Sequence, residues 1–273
     1  TGGAAFPGRI GSAGSSTGSI VALDPDYEDG SFIASIWTSN GTWRWAVPLT
    51  AQIDPSYDSS QATVYVNDVT AMAEGGGYAV GTFRQNMNLG GTSLTVDTSI
   101  CTNWCPRDMF VARISDSGTW DWAISSSSPG QEFPDSIELD ATGSPYISGS
   151  VSLASNISFG GEFWLEVGCY EQFIVKVESD GGWGTAIKSE APEVQYPSEF
   201  CNTLETDMTV LDSGEVILIG SYWNSIAFGD HSYTHPTNSN SFSTDDDVYG
   251  VFIASAVLDE DTDDDDDGFV QVR

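Results

Sequence analysis

Phe110-Val-Ala-Arg-Ile-Ser-Asp-Ser-Gly-Thr-Trp120-Asp-Trp122-Ala123 is the stretch from which the fold can be read. It opens as a strand pattern, breaks at Gly118 inside a short polar run, and resumes with an alternation led by tryptophan. Two such segments flanking a glycine turn spell a β-hairpin with one buried face. The same statement recurs at Phe32-Ile-Ala-Ser-Ile-Trp-Thr-Ser-Asn-Gly-Thr-Trp43-Arg-Trp45-Ala46 and at Phe173-Ile-Val-Lys-Val-Glu-Ser-Asp-Gly-Gly-Trp183-Gly-Thr-Ala186. A fourth copy begins at Phe252-Ile-Ala-Ser-Ala-Val257. The chain is therefore expected to be an array of one β unit, with function residing on the array rather than in a single catalytic motif.

A second signal falls between these copies, as Tyr78-Ala-Val-Gly81, Tyr146-Ile-Ser-Gly149 and Ile217-Leu-Ile-Gly220. Ahead of each lies a short strand pattern and a turn: Val64 to Ala73 with Glu74-Gly75, Ser136 to Asp140 with Thr142-Gly143, and Met208 to Leu211 with Asp212-Ser213-Gly214. After each comes a glycine-containing stretch, Asn88-Leu-Gly-Gly91, Ser158-Phe-Gly-Gly161 or Ala227-Phe-Gly-Asp230. One unit reads as about four antiparallel strands with tight glycine turns and one longer, variable loop. The array holds three complete copies and a partial fourth, which defines a β-repeat domain over residues 1–258 and an acidic tail or linker over 259–273.

With 273 residues, 40% hydrophobic and 12% aromatic, the chain has the material for one large β domain and is unlike a disordered one. No apolar run approaches the roughly 20 residues that span a bilayer, and Thr1 does not open a signal peptide. Net charge is −32, from 40 acidic residues against 8 basic ones, and Lys176 and Lys188 are the only lysines. A chain without a basic patch cannot release phosphate counterions, so nucleic acid is not the expected partner. Self-repulsion of this size is relieved by salt or bound cations.

Cys101, Cys105, Cys169 and Cys201 lack the paired spacing of a zinc site, and their even number in a Gly/Ser/Thr-rich β chain suits disulfides in an oxidising compartment. Cys101 and Cys105 share a loop, so a local bridge between them would leave Cys169 with Cys201; the other two connectivities and four free buried thiols stay open. Asn40-Gly-Thr42 and Asn156-Ile-Ser158 match the N-glycosylation acceptor pattern. Trp43, Trp45, Trp120, Trp122 and Trp183 recur at matched positions and are expected in the core, both members of each Trp-x-Trp pair on one face. Trp104, Trp164 and Trp223 stand in or near variable loops and are the candidates for sugar stacking or a protein contact.

Short strands, glycine turns and an aromatic signature in each unit point to a β-propeller-like array. The Gly-Thr-Trp120-Asp-Trp122-Ala turn, preceded by Asp108-x-Phe110-Val-Ala-x-Ile114 and with Tyr-x-x-Gly between copies, resembles the bacterial and archaeal β-propeller repeats related to the SBBP group. That resemblance covers most of residues 32 to 258 and implies a secreted or surface protein of a marine microbe. A closed propeller usually has at least about 4 blades. Residues 1 to 31 are one way to complete a fourth; strand exchange with neighbouring subunits, giving a fibre, is the other.

Two acidic runs are candidate calcium loops. Asp263, Asp265 and Asp267 form Asp-x-Asp-x-Asp-Gly268, in which alternate carboxylates converge on a hard cation and glycine permits the turn. A solvated acidic linker explains that run as well. Asp24, Asp26, Glu28 and Asp29 before Gly30 alternate in the same way and lead into the first Phe strand. Asp108 and Asp245 to Asp247 precede other Phe strands, which suggests an acidic rim on one face of the array. His231 and His235 lie in a loop-like stretch without metal register, and acids are so abundant that a glycosidase-like pair carries no information.

The expectation is an extracellular or cell-surface, non-catalytic protein for adhesion or scaffolding, with calcium as cofactor and a surface polysaccharide, another protein or copies of itself as partner. A filament or sheath subunit built by strand exchange is the first alternative, and a propeller glycosidase or lyase acting on polysaccharide is the second.

Overall fold

The computed structural model describes residues 31–37, 39–52, 62–96, 107–152, 155–160, 164–167, 171–190, 206–223, 225–234 and 249–258. Among them every regular element is a strand, and the strands form antiparallel sheets of two to four members. The chain divides into two compact units, Thr1–Ser125 and Ser126–Arg273.

In the first unit, β1 (Ser31–Ile36) pairs with β2 (Trp43–Leu49). A four-stranded sheet has the order β4 (Thr63–Ala71), β5 (Gly77–Arg84), β8 (Asp108–Ile114), β9 (Trp120–Ser125). Between β5 and β8 the chain makes a short hairpin, β6 (Asn86–Leu89) and β7 (Thr92–Leu94), which β3 (Ala51–Gln52) joins. Leu49, Val64, Phe83, Met87, Leu89, Phe110 and Ala112 form one buried cluster, so the core lies between the large sheet and the small one.

The second unit repeats this order. β10 (Gln131–Leu139), β11 (Pro145–Ser152), β14 (Gln172–Val177) and β15 (Trp183–Lys188) make a four-stranded sheet, with the hairpin β12 (Ser155–Ser158) and β13 (Trp164–Val167) interposed. β16 (Thr206–Val210), β17 (Glu215–Trp223) and β20 (Tyr249–Val257) make a three-stranded one, interrupted by β18 (Ser225–Phe228) and β19 (His231–Thr234). Tyr146, Ile174 and Ile187 of the four-stranded sheet cluster with Val216, Leu218 and Phe252 of the three-stranded one.

The glycine-containing stretch of each copy is thus the turn of an extra hairpin rather than a loop. Its strands of three or four residues are too short to announce themselves by alternation.

The recurring Gly and the recurring Phe turn out to be one device. Gly81 stands directly opposite Phe110, Gly149 opposite Phe173, and Gly220 opposite Phe252. Each Phe ring lies across its glycine, where a Cβ would come within 2.8 to 2.9 Å of the ring carbons. At Gly81 the same Cβ would also meet the Tyr65 carbonyl oxygen at 2.0 Å. Only a residue without a side chain leaves room there, and the ring covers the bare backbone in return. Beside the glycine the neighbouring strand carries a β-bulge, at Val66/Asp68 and at Pro134/Ser136. The second bulge explains how Pro134 is tolerated inside a strand, and why β10 begins before the Ser136 expected from alternation.

Bulges also correct the expectation for the tryptophans. The β8–β9 register shifts between Arg113 and Ile114, so that Trp122 faces Arg113 while Trp120 faces Ile114. Consecutive residues of β8 point to opposite sides, and the two rings therefore leave the sheet on opposite faces. Trp120 packs against the Phe110 cluster, whereas Trp122 meets Tyr78 with ring centroids 5.7 Å apart. The same shift separates Trp43 from Trp45.

Candidate functional site

Most residues singled out from sequence fall outside the described residues: Asp24, Asp26, Glu28, Asp29, Asp263, Asp265, Asp267, Trp104 and all four cysteines. Trp164 opens β13 opposite Ser158, and Trp223 ends β17 opposite Tyr249. Asn40 lies in the exposed β1–β2 turn, where its Oδ1 accepts from the Thr42 N–H at 3.0 Å and the Thr42 hydroxyl at 2.7 Å. Asn156 is exposed in β12, while Ser158 of the same tripeptide is buried. Among the described residues no three His, Cys, Asp or Glu side chains converge as a metal site, and no helix is long and apolar enough to cross a membrane.

The acidic rim does not extend to Asp108. Its row across the sheet is Val64, Phe83 and Asp108, two of them core residues, and Asp108 itself is 1% exposed. Glu171 takes the matched position before β14, is also buried, and accepts a charged hydrogen bond from Lys188 Nζ at 3.0 Å. The acid at the head of the Phe strand is a buried group in both units. A buried carboxylate must find partners inside the protein, which suits it to fixing a strand end rather than to holding a solvent cation.

Turn acids are engaged as well. Asp140 Oδ1 accepts from the Thr142 and Ser144 N–H groups at 2.8 and 2.9 Å and from the Thr142 hydroxyl at 2.6 Å. Asp180 accepts from the Gly182 N–H. These are the side-chain turns that Asp and Asn favour because the carboxylate or amide imitates a backbone carbonyl.

Asp116, in the β8–β9 turn, does more. Arg44 of β2 forks onto its carboxylate with bonds of 2.7 and 2.6 Å, and the Trp45 indole donates to its backbone carbonyl at 2.9 Å. The Trp45 ring lies over Gly118, whose φ of 80° and lack of a Cβ permit both the turn and the contact. Arg44 holds the Asp116 carboxyl below its ordinary range, chiefly through the hydrogen bonds, and its own guanidinium is raised in return. This junction between hairpins escaped the sequence reading, which weighed the 40 acids and passed over the arginines. In so acidic a chain, each basic residue was the rarer signal.

A buried polar group occupies the second unit where β10 begins. Ser126 Oγ donates a short bond of 2.5 Å to Glu132 Oε2, and Glu132 is fully buried. Asp135, turned outward by the β10 bulge, accepts from the Thr206 N–H at 3.0 Å and hydroxyl at 2.8 Å, tying the second unit's two large sheets together. What these groups do is fix strand ends and join sheets. Compared with known proteins, the chain matches no family model and no curated protein.

Proposed function

We propose that the protein is an extracellular, non-catalytic surface or matrix scaffold, its repeats arranged in the manner of propeller blades and its acidic segments taking calcium. The observation that carries this reading is the recurrence of one strand order, with the same Phe–Gly register, in three successive sheets. A chain built by repeating one sheet offers an extended, replicated surface, which suits adhesion to a surface polysaccharide or protein better than it suits a single reaction centre. Net charge supports the cation part, since bound calcium relieves the repulsion of 40 acidic groups.

The test is a melting-temperature titration of the chelated protein with calcium, with magnesium as control. At 100 times its Kd, calcium is expected to stabilise by about 2.7 kcal/mol per site. An unchanged melting temperature, or an equal response to magnesium, removes calcium from the reading.

A second reading, a filament subunit joined by strand exchange, is favoured by β20. This nine-residue strand has β17 on one side and no paired strand on the other among the described residues. Val251 and Ile253 on it are 75% and 73% exposed, as an acceptor edge would be. Polymers that lengthen with protein concentration, seen by negative stain, would establish it.

A further inference from the structure

Two of the eight basic residues of this chain stand side by side. Across the first unit's large sheet, Thr63 is paired with Arg84, and Phe83 with Asp108. One step beyond that last pair, Arg84 and Arg107 become neighbours. The matched positions of the three-stranded sheet, Trp223 and Tyr249, are directly opposite each other. In the remaining large sheet the matched residues are Ser152 and Tyr170. The repeat therefore does not require arginine at this place.

Like charges facing each other across a sheet destabilise it. The cost is felt at Arg84, whose guanidinium is less basic than usual, first because it is half buried and next because of Arg107. Arg107 lies with its Cζ 4.8 Å above the Tyr65 ring, enters no ion pair among the described residues, and its buried Nε has no acceptor. The Thr63 hydroxyl, in the same row, is buried and unpartnered. The row Val64, Phe83 and Asp108 stands on the core face, and the arginine row on the other. Immediately after Arg84 the chain passes through Gln85 with φ of 67°, a conformation that a non-glycine residue holds only when its surroundings enforce it.

We propose that Thr63, Arg84 and Arg107, with Tyr65 as the platform under Arg107, form a binding site for a single oxyanion, either free sulfate or the carboxylate or sulfate ester of an acidic sugar. Guanidinium forks match the paired oxygens of such groups, and the Thr63 hydroxyl supplies one more donor. Tyr65 is partly exposed and both arginines are only partly buried, while the Thr63 hydroxyl is buried in the same row. Long-range repulsion by the remaining acids is screened at high ionic strength, whereas a partly buried, bidentate contact is screened much less.

The experiment is arginine Nε–H NMR on the full chain, titrated with sodium sulfate, sodium glucuronate and, at matched ionic strength, sodium chloride. The Arg107 signal is identified by its loss in Arg107→Gln. A saturable shift at Arg84 and Arg107, with Kd of roughly 1–10 mM, is expected for sulfate or glucuronate and not for chloride. Saturation by sulfate alone assigns the free ion or a sulfate ester, and saturation by glucuronate assigns the sugar carboxylate. Arg107→Lys, which keeps the charge and loses the fork, should fold normally and weaken binding about tenfold. Shifts that remain linear, that match those of Arg113, or that keep the same midpoint in Arg107→Lys would overturn the assignment.

Discussion

The sheet β4-β5-β8-β9 and the sheet β16-β17-β20 are written in nearly the same words but buried differently. In the first, β8 lies between β5 and β9 and only Arg113 of its seven residues escapes full burial. In the second, β20 carries the same Phe opposite the same Gly, yet Val251, Ile253 and Val257 are exposed. Phe110 and Phe252 are both buried because each covers its own glycine, a contact made within the pair of strands. The other face of the strand depends on what lies beside and behind it. The Phe–Gly pair is thus a local device, whereas burial of the opposite face is a property of the neighbours.

The sharpest break of this comparison is at the rings. Phe110→Ala and Phe173→Ala should each cost about 3–5 kcal/mol, read as a fall in denaturant midpoint at constant slope. Phe252→Ala, on a strand with a paired neighbour on one side only among the described residues, should fall at the low end of that range. Equal losses at all three sites would mean that the edge of β20 left without a paired strand among the described residues does not matter to its core.

Next in size is the glycine. Gly149→Ala places a methyl group against the Phe133 carbonyl and the Phe173 ring, and should cost roughly 1–3 kcal/mol by overpacking. Gly143→Ala meets no neighbouring atom and tests the turn alone, through its φ of 86°. If Gly143→Ala were the more damaging of the two, turn conformation rather than the Phe contact would explain the repeat.

Matched positions on the other face give a smaller and more telling contrast. Val111 and Ile253 occupy the same place after their Phe residues, one fully buried and one largely exposed. Val111→Thr should cost about 1–3 kcal/mol for burying a hydroxyl, and Ile253→Thr should stay within about 0.5 kcal/mol. A large loss in Ile253→Thr would reveal a partner strand on β20 in solution.

The smallest effect is expected at the exposed turn. The folded carboxyl of Asp116 is shifted below its ordinary pKa of 3.8, so its ion pair with Arg44 stabilises above that value and is lost as pH falls through the lowered one. The difference in melting temperature between wild type and Asp116→Asn should therefore shrink on acidification below pH 4, and added salt should reduce it at neutral pH.

Hairpins β1–β2, β8–β9 and β14–β15 could be read from sequence because alternation, a polar turn and glycine all agree there. The pairing of Gly81 with Phe110 was visible as two recurring signals, but their contact is made between strands far apart in the chain, and single-strand periodicity has no register in it. For the same reason the bulges were silent, and with them the opposite outlooks of Trp120 and Trp122. Asp108 was misjudged as a rim group because acidity predicts exposure on average, while its position, two residues before Phe110 in β8, places it on the core face. Arg84 and Arg107 were illegible as a pair, since only the fold brings them together. The acidic runs at Asp24 to Asp29 and Asp263 to Asp267 were read from composition and spacing alone, which name a chemistry without fixing a geometry.

The central claim, that these repeats build one replicated, cation-neutralised scaffold, is tested most directly by electron microscopy of the purified protein in millimolar calcium and again in chelator. The account predicts discrete compact particles in calcium, with the same repeat sheets retained when the metal is withdrawn. Long filaments in calcium that fray on chelation would contradict it and make the protein the subunit of a polymer.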